Sequence, residues 1–249
     1  MQVLDFGDGH AARVARPRRF ADLAAAVGEL GLDRGRPVLV VVGGASGLDE
    51  PGKDRLRTLF TRVLVPVASA WNAVAVDGGT ASGVMQLLGQ AVRTERASFP
   101  LVGVAVEKKV ILPGDASEPG GRRALERRHT HFVLVPGSSW GDESPWLARV
   151  ATEIAAGAPS ATVLINGGEI ALRDAANSVA AGRPVLVIKG TGRAADRIAA
   201  ALDGDRSDAP AAHLAGSHLV TAVSWPEGAA VRAALEKLAA SQQQARPGP

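Results

Sequence analysis

The chain has 249 residues, enough for a sizeable core, and carries a formal net charge of +3 with no cysteine and no tyrosine. The missing cysteine excludes disulfides, zinc–thiolate sites and thiol nucleophiles, and no run approaches the ~20 apolar residues that a membrane helix needs. The pI of 9.8 reflects arginine, which does not titrate in range, and the arginines are spread apart from Arg16-Pro17-Arg18-Arg19 and Arg122-Arg123 with Arg127-Arg128, so no nucleic-acid partner is expected.

The segment from Met1 to Phe6 lacks the basic-then-apolar layout of a signal peptide, which predicts a cytoplasmic protein. Apolar, β-branched runs then alternate with longer Ala/Leu-rich segments. In chain order the pattern predicts a helix over 20–30, a strand over 38–42, a helix over 54–69 and a strand over 73–76. A helix over 83–93 and a strand over 101–106 follow, then a polar inserted loop over 107–126 and a strand over 132–135. The remainder reads as a helix over 145–156, strand 162–165, helix 172–181, strand 185–188 and helix 193–202. A loop over 204–216, a strand over 218–223, a helix over 227–240 and a frayed, disordered tail over 241–249 complete the chain. Strand–helix alternation of this kind predicts a single α/β domain over 1–240, a doubly wound, mostly parallel sheet with helices on both faces. Strands that are apolar almost throughout fit burial on both sides.

Five of the strands run at once into small residues. These clusters are Gly43-Gly44-Ala45-Ser46-Gly47, Asp77-Gly78-Gly79-Thr80-Ala81-Ser82-Gly83, Pro136-Gly137-Ser138-Ser139-Trp140-Gly141, Asn166-Gly167-Gly168 and Lys189-Gly190-Thr191-Gly192-Arg193. In a parallel sheet all five fall on one edge, where open α/β sheets bind ligands. Each leads into a helix N-terminus that favours an anion. The expected ligand-binding set is therefore Gly43, Gly44, Ser46, Gly78, Gly79, Thr80, Ser82, Gly83, Gly137, Ser138, Glu143, Gly167, Gly168, Gly190, Thr191, Gly192 and Arg193, around a phosphate-bearing small molecule. Side chains at Gly79 or Gly83 are expected to block the phosphate. Arg193 at a helix start opposes the dipole and points to an anionic partner, with an ion pair to Asp196 as the alternative.

Two motifs fall short. Gly47 to Asp54 nearly fits the Walker A pattern, but Asp54 stands where a magnesium-binding hydroxyl is needed and Asp49 and Glu50 would face a triphosphate. Gly190-Thr191-Gly192-Arg193-Ala194-Ala195 fits the variant dinucleotide fingerprint, yet on a late strand and without an acidic strand end after it. His129 and His131 share a strand face, but no third ligand stands at a recognised spacing, and no metal is expected. Trp140 is read as packing or as a stacking surface for a base, and Asp77 as orienting the glycine loop or touching a ligand hydroxyl.

The run Asp77 to Met85, the segment His129 to Val135 with Trp140-Gly141-Asp142-Glu143, and Gly190 to Asp196 resemble the SLOG superfamily. They are similar in particular to its prokaryotic LSDAT branch, shared with the cytoplasmic N-terminal region of melastatin-type transient receptor potential channels. The resemblance covers nearly the whole chain. It implies a Rossmann-like sheet and a sensor that binds ADP-ribose or a related NAD-derived nucleotide, with no required cofactor. It further implies a homo-oligomer, and an effector that is either a separate protein or absent. The superfamily also includes the Lonely Guy phosphoribohydrolases, whose signature reads P-G-G-x-G-T-x-x-E. Here Gly167-Gly168 is kept, Ile170-Ala171 replaces Gly-Thr, and Asp174 replaces the catalytic Glu. A hydrolase cleaving an N-glycosidic or phosphate-linked bond, with Glu169, Asp174 or Glu143 as general acid/base, is the alternative.

Overall fold

A computed structural model describes residues 2–7, 9–44, 50–115 and 120–244. The strands are β1 (Gln2–Asp5), β2 (Ala11–Ala15), β3 (Val38–Gly43), β4 (Val74–Asp77), β5 (Leu101–Val106), β6 (Val110–Ile111), β7 (Arg123–Ala124), β8 (His131–Val135), β9 (Ser160–Ile165), β10 (Val185–Lys189) and β11 (Val220–Ser224). The helices are α1 (Leu23–Glu29), α2 (Glu50–Leu59), α3 (Val65–Ala70), α4 (Gly83–Thr94), α5 (Ser144–Ala155), α6 (Glu169–Ala180), α7 (Arg193–Leu202), α8 (Ala209–Ala215) and α9 (Gly228–Gln244).

Nine strands form one sheet in the order β1-β2-β8-β5-β4-β3-β9-β10-β11. Every neighbouring pair is parallel except β1 with β2. From β3 the chain winds outward through β4 and β5, then returns through α5 to lay β9 on the other side of β3. The topological switch therefore falls between β3 and β9, where a crevice opens at the strands' C-terminal ends.

β3 shows why these sequences become strands. Val38, Val40 and Val42 enter one core, while Leu39 and Val41 enter the other. With a side-chain period of two, apolar residues at every position fit only a strand covered on both faces. One core is closed by α1 and α5–α8, the other by α2–α4 and α9.

Three departures from the sequence expectations have local causes. Residues 209–215, expected in a loop, form α8: Asp208 caps it, accepting from the Ala211 N–H at 3.0 Å, and Pro210 lies in its first turn. That is a regular N-cap arrangement, obscured in sequence by the Gly and Asp around it. Residues 241–244 continue α9 rather than fraying, because Gln242 accepts from the Ser160 N–H at 3.0 Å and donates to the Ser160 carbonyl at 2.9 Å. Residues 245–249 lie outside the described residues. The insert at 107–126 contains β6 and β7 and is stitched to the glycine loop after β4, with Ala81 N–H donating to Ala124 O and Glu126 N–H to Gly79 O, both at 2.9 Å.

Candidate binding cleft

The loops after β3, β4 and β9 converge with the starts of α5 and α6 on a cavity of about 330 Å³. Gly43, Gly44, Gly78, Thr80 and Gly168 line it from the expected set, together with Glu143, Arg193 and the alternative acids Glu169 and Asp174. Gly43 lies beside Ile165 of β9, and a Cβ there would collide with the Ile165 carbonyl.

α6 opens on this cavity. Its N-cap is Gly168, which has no side chain to cap the first turn, so the leading N–H groups remain available to an anion. The Arg193 guanidinium lies against Gly168, such that a Cβ on that glycine would come within 2.8 Å of its Nη2. Arg123 of β7 lines the same cavity. The sequence marks Arg123 only as part of the Arg122-Arg123 pair; it belongs to an insert with no strand or helix signature, and only the docking of that insert onto the glycine loop brings it here. Trp140 also borders the cavity, its indole Nε1 donating to Gly121 O at 3.2 Å.

The other expected residues have structural roles. A Cβ on Gly79 would lie 2.8 Å from Gly103 Cα and 3.2 Å from the Phe132 ring, so this glycine lets β4's loop press on β5 rather than admitting a phosphate. Ser82 immediately precedes α4 and shares a 3.1 Å hydrogen bond with Thr80, and Gly83 is the first residue of that helix. Ser138 donates its N–H to Asp142 at 2.8 Å, as Ser139 does at 3.0 Å, and Gly137 packs against the same side chain. These amides hold the Asp142 carboxyl below its ordinary range. Gly167 donates to Asn166 Oδ1 at 2.7 Å. Ser46 lies outside the described residues, as do Gly47 and Asp49 of the Walker-like run.

The β10 loop faces a second cavity. Gly190, Thr191 and Gly192 line a space of about 660 Å³ with Arg55 and Leu56 of α2, Asn166, Trp225 and Arg193. Among the described residues of the expected set, Arg193 is the one that borders both cavities. Two of the loop's amides are already occupied. Asp196 accepts from Gly190 N–H at 2.6 Å and Gly192 N–H at 3.0 Å, and α7's next N–H groups, on Ala194 and Ala195, donate to Gly167 O and Asn166 O. Asp196 thus shapes this loop through these two bonds. Asn166 and Thr191 tie the β9 and β10 loops together through bonds of 2.7–2.8 Å.

Beneath the cavity lies a buried charge relay. His129 donates from Nε2 to Asp77 Oδ1 at 2.7 Å and from Nδ1 to Glu126 Oε2 at 2.9 Å. Burial alone would lower its pKa, but Asp77 and then Glu126 outweigh it and raise it to about 9. Asp77 Oδ1 also accepts the Gly79 N–H at 2.7 Å, so the histidinium fixes the glycine loop from below. With both ring nitrogens engaged, His129 has no lone pair for a metal. His131, by contrast, is pushed down to about 4 by burial and then by Arg13.

Among the acids, Glu169 turns its carboxylate outward to Arg197 at 2.7 Å. Asp174 is buried and accepts from Ser144 Oγ at 2.5 Å. Burial pushes its pKa up to about 7, the Ser144 hydroxyl opposes this, and Glu143 adds to it. Glu143, accepting from Gly141 N–H at 2.8 Å, is likewise raised, chiefly by burial. Two carboxyl groups with raised pKa values therefore share the cavity with two arginines.

Residues 36–234 match the LSDAT family described as "SLOG in TRPM, prokaryote". The chain belongs to this family. LSDAT relatives include the transient receptor potential cation channel subfamily M member 2 of mouse and of rat, each 29% identical over 208 residues and 68% of this chain. A subfamily M member-like 2 protein of Nematostella vectensis is 28% identical over 64% of the chain. The chain spans only 13% of the length of the mouse and rat channels. In fold, the LSDAT chain is similar to the X-ray structure of TM1055, a structural-genomics target, with a TM-score of 0.54 and 22% identity over 81% of this chain and 99% of that one. Among the described residues no helix is long and apolar enough to cross a membrane.

Proposed function

We propose that this LSDAT chain binds a phosphate-bearing, nucleotide-derived ligand of the ADP-ribose class at the end of β3 and β9 and acts as its sensor. The observation that carries this reading is the convergence on one cavity of the uncapped α6 N-terminus with Arg123 and Arg193. Backbone amides and guanidinium groups together form an anion site, and Arg offers a planar fork for phosphate oxygens. The relationship to the channels supports the sensing role, whose output would pass through a second copy or a separate effector protein.

The test is a thermal-shift series with ADP-ribose, AMP and adenosine. Both phosphate-bearing ligands raise the melting temperature and adenosine does not; equal stabilisation by adenosine defeats the reading. Isothermal titration then measures Arg193→Ala, expected to weaken ADP-ribose by about 1–3 kcal/mol, the range for hydrogen bonds to charged groups. Arg193→Lys recovers part of that loss.

A second reading has its own support. Glu143 and Asp174 flank the proposed phosphate site with pKa values raised chiefly by burial, and Asp174, raised to about 7, has the near-neutral pKa that suits general acid catalysis. This reading makes the chain a hydrolase of the N-glycosidic bond. Mass spectrometry after prolonged incubation decides it: free base or ribose phosphate that disappears with Asp174→Asn supports turnover, and intact ligand supports sensing.

A further inference from the structure

We infer that the larger cavity beyond Arg193 is a nucleobase subsite, with Trp225 as its stacking surface, so that the ligand crosses Arg193 by its pyrophosphate and occupies both cavities. The inference rests on the binding reading above and specifies its ligand as a nucleoside diphosphate esterified to a polyol.

The two cavities differ in chemistry. The smaller contains the carboxyl groups of Glu143 and Asp174, which hydrogen-bond hydroxyls such as those of a sugar. The larger has no carboxylate among its described lining residues, and instead presents Arg55, Leu56 and Trp225 beside Arg193. Volumes of about 330 and 660 Å³ each fall in the ~300–1,000 Å³ range of small-molecule sites. A mononucleotide fills one of them and a diphosphate-linked sugar reaches both.

Trp225 is held in place from its backbone, whose N–H donates to Lys189 O at 2.8 Å, and its ring is half-buried. Every base has a π face, and an indole offers a flat, weakly polar counterpart to it. On α2, Lys53 pairs with Glu50 and Arg57 with Asp54. Arg55, between them, has no ion pair among the described residues and faces the cavity. Because Asp196 already fills the amides of Gly190 and Gly192, positive charge on this side comes from arginine side chains rather than from the loop. The phosphates therefore sit at Arg193, with the base outward along α2 and the sugar diol toward Glu143 and Asp174.

Isothermal titration of the parent, Trp225→Leu and Arg55→Gln with ADP-ribose, AMP and ribose 5-phosphate tests this. Trp225→Leu is expected to weaken ADP-ribose and AMP about tenfold, in line with loss of one base–aromatic stack, and to leave ribose 5-phosphate unchanged. Arg55→Gln, an exposed substitution that the fold tolerates, weakens ADP-ribose severalfold and again spares ribose 5-phosphate. If the parent binds but both variants bind all three probes as it does, the subsite is wrong and the anion site stands. Equal weakening of all three probes by Trp225→Leu makes that residue structural and also overturns the subsite. If Trp225→Leu does not fold, Arg55→Gln decides alone. A parent that binds none of the probes removes both the binding reading and this inference.

Discussion

At Asp174 the α6 backbone turns a carboxyl group inward against Ser144, and burial works against its charge. Its folded pKa of about 7 lies above the ordinary 3.8, so between these values the folded chain holds a proton that the unfolded chain releases. Stability therefore falls as pH rises through that window and levels off above it. Asp174→Asn is expected to stabilise the protein by about 2–4 kcal/mol at pH 8, since each step of one pH across the window costs the parent up to ~1.4 kcal/mol, and by little near pH 4. Urea unfolding at the two pH values measures it, and equal effects at both would contradict a buried, protonated acid. His129 runs in the same direction over a higher window. Its pKa, raised from 6.5 to about 9, means a stabilisation present in full below pH 6.5 and lost as pH climbs through 9. His129→Ala leaves Asp77 and Glu126 facing one another without their cation, and is expected to cost on the order of 3–5 kcal/mol at pH 7. The sequence identifies His129 and Asp77 separately. Their pairing is illegible there because 52 positions separate them and neither neighbourhood signals the other.

Among the elements, those legible in sequence are the ones whose burial is simplest. β3, β5 and β10 are apolar on both faces and announce themselves as strands. β1, at the sheet edge, buries one residue of four, and β2 beside it mixes exposed and buried positions, so neither carries a comparable run. The glycine loop after β4 shows a subtler failure, since composition alone does not say what a glycine makes room for. Gly79 takes φ +67° and faces Gly103 Cα, so its substitution acts on the fold. Gly79→Val is expected to destabilise by at least about 2 kcal/mol through left-handed strain and overpacking, visible in denaturant unfolding without any ligand. A folded Gly79→Val of parental stability would return this residue to the binding site. For α8, Asp208→Ala removes the cap and is expected to cost about 1 kcal/mol.

For the whole molecule, the sheet and its helices follow from alternation of apolar runs, whereas strand order does not. Five glycine-rich loops share one edge, but the switch between β3 and β9 selects which of them face a common cavity. That selection removes Gly137 and Ser138 from the cleft and admits Arg123 and Trp140. Binding that is specific for this folded arrangement should shift global stability by mass action. At a hundredfold excess over Kd, ADP-ribose adds ~2.7 kcal/mol, which for a domain of this size corresponds to a melting-point rise of roughly 5–10 °C. A biphasic melt, with one half of the sheet unaffected by ligand, would show that the two windings of the fold are not a single cooperative unit.

The relay under the glycine loop also dictates when the cleft can come into being. Asp77 is synthesised well before His129, and until β8 docks beside β5 the loop at 77–80 has nothing to neutralise the acid beneath it. Contacts so distant along the chain form late, because the intervening segment must be ordered first. The C-terminal edge of β4 is therefore completed only once about half of the polypeptide, through His129, has been made, and a truncated chain ending before His129 has this loop's glycines in sequence but not the shape that they take in the finished protein.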